Sequence, residues 1–63
     1  MKTENAKIVE LLREELIRAH DFADLIAAKS ELETGHARTS SVASFVTTLE
    51  KISRIEALIV RYS

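Results

Sequence analysis

Residues 30–41, SELETGHARTSS, decide the fold of this chain. The sequence on either side is ready to become helix. This stretch holds the only glycine, Gly35, one of two histidines, His36, and a run of small hydroxyl residues. Gly35 suits the position just past a helix end, where a left-handed backbone carries no steric cost. The following ARTSS supplies the next N-cap, with Thr39 or Ser40 placed to accept from the orphan N–H groups of a first turn. The stretch therefore reads as a helix end, a reversal and a cap over about residues 35–40. Its functional alternative is an exposed tip on which His36 and Arg38 contact an anion or a partner.

Upstream, from about residue 3 to residue 34, apolar residues recur at helical spacing: Ile8, Leu12, Leu16, Ala19, Ala23 and Ile26. Thr3 or Asn5 can cap the start, and Glu4 suits the positive end of the helix dipole. Glu14–Arg18 and Lys29–Glu33 fall at i,i+4 and support the same helix. An alternative breaks it near AHDFAD, where Asp21 could cap a third helix. Downstream, from about residue 41 to residue 62, the pattern resumes through Val42, Phe45, Leu49, Ile52, Ile55, Ile59 and Tyr62. Its first half, SSVASFVTT, is β-branched and could make a strand. The three-four spacing nevertheless continues into LEKISRIEALIVRY, so helix is expected throughout.

A short loop sets two such helices antiparallel. With the apex at residues 37–38, Ser30 faces Phe45, Ile26 faces Leu49, Ala23 faces Ile52 and Leu16 faces Ile59. Glu56 would fall opposite Ala19, so Ile55 is expected to turn inward there. The fold class is all-α, a single domain forming an antiparallel two-helix hairpin.

Sixty-three residues make a thin domain. A chain of this size buries only ~60% of its unfolded surface and needs disulfides, a metal or a partner for support. Cysteine is absent, so no disulfide or thiolate site is available. Ile17, Leu25 and Leu32 on the first helix fall off the apolar stripe, as do Val46, Leu58 and Val60 on the second. That second apolar face predicts a homodimer, two hairpins forming a four-helix bundle.

Little points to chemistry. His20 and Asp24 stand at i,i+4, with Asp21 beside them, but no third nitrogen or sulfur ligand accompanies them. No glycine-rich phosphate loop exists, and Tyr62 reads as a packing residue. An enzyme is not expected, nor a cofactor. Nine basic against ten acidic residues leave a net charge of −1, which gives no global attraction to nucleic acid or membrane. The start has no signal-peptide pattern, and no apolar run approaches the ~20 residues of a membrane span. A cytoplasmic location is the expectation.

Charge placement is more informative. Glu10, Glu14 and Asp21 gather around Ile17 on the side of the first helix away from the core stripe. Apolar anchors ringed by charge mark a protein-binding surface, and this one is the first candidate. Lys51, Arg54 and Arg61 share a side of the second helix with Leu58 and form the alternative. A nucleic-acid role for that side is weaker, because three cations give few phosphate contacts beside an acidic helix.

Three resemblances bear on function. LREELI and LIVRY resemble segments of the helical-hairpin aspartyl-phosphate phosphatases of sporulating bacteria. Their Ser-Gln-Glu-Leu-Asp motif is replaced here by Ser53-Arg54-Ile55-Glu56-Ala57, which sets that family aside. In length, composition and hairpin pattern the whole chain is similar to the Rop-type hairpins of plasmids and to short accessory proteins of temperate phages, such as those of the lambdoid exo–xis region. The phage likeness implies a small regulator or adaptor acting on a host or phage protein by binding. The plasmid likeness implies, as the alternative, a helical dimer that presents cations to RNA or DNA.

Overall fold

The computed structural model describes the backbone from residue 3 and the side chains from residue 4 to residue 63. It is an all-α hairpin of two long helices, α1 (Thr3–Leu32) and α2 (Gly35–Tyr62). α1 runs unbroken through His20 and Asp21, so the chain is not split into a further helix there. SSVASFVTT is helical as well. Its hydroxyls bond back to the helix: Thr47 Oγ1 donates to the Ala43 carbonyl at 3.1 Å and Thr48 Oγ1 to the Ser44 carbonyl at 2.8 Å. That pattern lets β-branched hydroxyl residues sit inside a helix without an unpaired donor. Asn5 lies within α1 and is not its cap, while the side chain of Thr3 is outside the described residues.

The reversal is tighter than the expected six residues. Only Glu33 and Thr34 lie between the helices. The Glu33 N–H donates to the Ser30 carbonyl at 3.3 Å, closing the end of α1. Thr34 is extended, at φ −133° and ψ 162°, and is the N-cap of α2, with no side-chain cap bond. Thr39 and Ser40 are therefore inside α2 and not at its start; the Thr39 hydroxyl donates to the Gly35 carbonyl at 3.3 Å instead. Helix propagation gains a backbone bond for each residue it orders, and nothing between Gly35 and Ser40 opposes it. The left-handed residue is Gly35 as expected, at φ +61°. A Cβ added there would meet nothing within 4 Å. Gly35→Ala should therefore cost about 1 kcal/mol from backbone strain alone, read as a lower thermal midpoint by circular dichroism. A stabilised mutant would show that the left-handed turn is not needed.

The earlier apex changes the register. Lys51 lies beside Glu15, whereas an apex at residues 37–38 would have set it near Asp24. The core joins Ala19 and Ala23 of α1 to Ile52 and Ile55 of α2, with Leu12, Leu16, Phe45 and Ile59 packed against it. Ile55 does turn inward. At the ends, however, the buried stripes differ by one residue from the apolar ones expected. Val9 is buried in place of Ile8, and Ser41 and Thr48 are buried while Val42 and Leu49 are each 45% exposed. The expected facing pairs, Ser30–Phe45, Ile26–Leu49, Ala23–Ile52 and Leu16–Ile59, are accordingly all displaced. The buried hydroxyls are satisfied, Thr48 as above and Ser41 by donating to the Glu33 carboxylate.

Candidate functional site

The hairpin is a flat ribbon, about 50 × 14 × 10 Å. Open grooves run along the helix junction. Among the described residues no group of three or more His, Cys, Asp or Glu side chains could hold a metal ion. Among the described residues no helix is long and apolar enough to cross a membrane. His36 and Arg38 are exposed in the first turn of α2, and Tyr62 is half-buried at its end.

The acidic side of α1 is solvent-facing, with Glu10, Glu14, Ile17 and Asp21 all exposed. Ile17, at 63%, stands well clear of the core. A shallow groove brings Glu10, Glu14 and Ile17 together with Val9, Arg13 and the chain end at Ser63; Asp21 lies outside it, one turn further on. The structure thus assembles three of the four residues into one concavity whose charge is mixed by Arg13.

On the alternative surface, Lys51, Arg54 and Arg61 are exposed, with Leu58 at the edge of exposure. A groove of about 600 Å³ sets Lys51 and Arg54 beside Glu15, Arg18 and Phe22 of α1. Glu15 accepts from Lys51 Nζ and from Arg18 Nη1, each at 3.3 Å. Arg18 pairs with Glu15, three residues back, and not with Glu14. The Lys51 hydrogen bond and charge, followed by the smaller effect of Arg18, hold the Glu15 carboxyl below the ordinary carboxylate range. All three groups are largely solvated, so the cluster contributes little to stability. In the sequence Arg18 reads only as an i,i+4 partner of Glu14 and Glu15 has no role; bringing both to Lys51 depends on the register, which no local pattern specifies.

No protein family model matches this chain, and comparison with curated proteins and with solved structures gives no match. The functional reading therefore rests on the surfaces and on the pattern of the sequence.

Proposed function

We propose that this hairpin is a small non-catalytic regulator or adaptor that pairs with a second copy of itself and acts by contact with another protein. The observation that supports this most is the amount of apolar side chain left outside the core. Leu11, Ile17, Phe22, Leu25, Val46 and Val60 are all exposed on a chain whose buried core is only a few residues wide. Scattered surface leucines are ordinary, but contiguous apolar strips rimmed by charge mark contact surfaces. The likeness in length and pattern to phage accessory hairpins supports a host or phage protein as the kind of partner.

The partner-facing surface in this reading is the acidic side of α1. Ile17 supplies the apolar contact, while Glu10, Glu14 and Asp21 steer a basic partner and select against acidic ones. The second reading, a Rop-like nucleic-acid binder, has one observation in its favour: Arg18, Lys51 and Arg54 line a single groove with Phe22. Glu15 sits among them and already engages two of the three, which leaves a weak site for phosphate.

The test begins with capture from host lysate and mass spectrometry, then measures binding of the captured protein to Glu14→Lys/Asp21→Lys. Unchanged helicity with association slowed about tenfold or more at low salt is the expected result. Unchanged binding would move the surface to Lys51, Arg54, Leu58 and Arg61. Salt-sensitive binding of RNA or DNA by the unaltered chain would favour the second reading.

A further inference from the structure

We infer that the self-association surface is a second stripe on α1, and that it pairs antiparallel with the same stripe of a second copy about a two-fold axis between Glu15 and Arg18. This deepens the dimeric reading above and rests on it. The stripe runs Glu4, Ile8, Leu11, Glu15, Arg18, Phe22, Leu25 and Lys29, in unbroken alternation of four and three residues. That is the repeat of a coiled-coil seam. It lies about a quarter turn around α1 from the stripe that meets α2, taking 100° per residue. A helix at the corner of a four-helix bundle presents its two contact stripes in this way.

The stripe is largely exposed, although half-buried Glu15 at its centre already accepts from Lys51 and Arg18 of its own chain. Glu4, Leu11, Arg18, Phe22, Leu25 and Lys29 are exposed, Leu25 at 67%, and Ile8 lies at the edge of exposure. Its order is self-complementary when reversed. Antiparallel pairing about the proposed axis sets Glu4 against Lys29 of the second copy, Ile8 against Leu25, Leu11 against Phe22, and Glu15 against Arg18. Each apolar residue meets an apolar one, and each charge meets its opposite. Parallel in-register pairing would set every one of the four charges against its own kind, at a cost that excludes it. Lys51 and Arg54 lie beside the centre of the seam and make that layer net positive. The flanking apolar layers therefore hold the pair together, and the ionic layers set its direction.

The chain exposes 4951 Å², roughly 850 Å² more than the roughly 4,100 Å² of a compact monomer of its mass, so the thin ribbon leaves ample surface for a partner to cover. The competing strip, Val42, Val46, Leu49 and Val60 on α2, has no such reversed match: Val46 would meet Glu56 and Leu49 would meet Ser53.

Sedimentation equilibrium and cysteine cross-linking test this. The unaltered chain should sediment as a dimer. Leu25→Glu should raise the dimer dissociation constant about a hundredfold or more, while Leu49→Glu leaves it within a few-fold. Because Leu25→Glu could also weaken folding, the second arm mixes Leu11→Cys chains with Phe22→Cys chains under mild oxidation. Bridging requires Cα atoms within ~7 Å, so the 11–22 hetero-pair should dominate over 11–11 and 22–22. A dimer that cross-links 11–11, or that Leu49→Glu dissociates and Leu25→Glu does not, would overturn the seam and leave the dimeric reading standing. A chain that stays at 7.1 kDa at high concentration would overturn both.

Discussion

Ile52→Ala is expected to abolish the cooperative thermal transition of the hairpin at room temperature. Ile52 is buried in the cluster that it forms with Ala19, Ala23 and Ile55. Truncating a buried isoleucine costs about 2–5 kcal/mol, the lost burial plus the cavity left behind. A core of this size rarely supplies more than ~3–5 kcal/mol in all, so one truncation consumes most of it. Leu32→Ala is the matched control: at 88% exposure Leu32 contributes almost nothing to the core, and its loss should change stability by less than ~0.5 kcal/mol. Circular dichroism melts at equal chain concentration decide between them. A cooperative melt retained in Ile52→Ala would mean that the helices are held together elsewhere.

The second large effect comes from enlarging a small residue. Ala19 and Ala23 are buried in the core on the side of α1 that meets α2, and their small side chains let the two helices approach closely. Ala23→Leu would force three further carbons into that layer, which costs about 1–3 kcal/mol through displaced rotamers and separated helices. Ile17→Leu, on the solvent side of the same helix, should be neutral. Denaturant titrations of the two should give a clear drop in midpoint for Ala23→Leu alone. The opposite order would show that the two faces of α1 have been exchanged.

Most of the fold is legible in the residues, and the misreadings share one cause. Gly35 marks the reversal because no other residue in SELETGHARTSS takes a left-handed backbone so cheaply. The stripes are legible too, provided that spacing is given priority over greasiness. Strict alternation of three and four runs through Val9, Leu12, Leu16, Ala19, Ala23, Ile26 and Ser30 on α1. On α2 it runs through Ser41, Phe45, Thr48, Ile52, Ile55, Ile59 and Tyr62. Choosing Val42 and Leu49 for their hydrophobicity breaks that alternation with two consecutive steps of three, from Leu49 to Ile52 to Ile55. A serine and a threonine take the inner positions because each hydroxyl finds an acceptor there.

The candidate surfaces divide in the same way. Exposure of Glu10, Glu14, Ile17 and Asp21 follows from their angle on one helix, which composition and spacing reveal. The meeting of Glu15 and Arg18 with Lys51 and Arg54 does not, because it depends on how many residues the turn consumes. The hydroxyls of ARTSS look like cap material, and a hydroxyl that bonds back to a helix carbonyl looks the same in sequence. That ambiguity moved the apex by about one helical turn, and the register moved with it.

The two-residue reversal also governs topology. Between residue 3 and residue 62 only Glu33 and Thr34 fall outside helix, and only Gly35 takes a left-handed angle. Straightening those three positions would turn the ribbon into a single rod about 90 Å long. Two such rods laid antiparallel could bury the same stripes between chains that the hairpin buries within one, as exchanged halves. The choice between a folded-back chain and an interlocked pair is thus concentrated in one hinge, and a residue that favours helix at position 35 tilts it toward exchange.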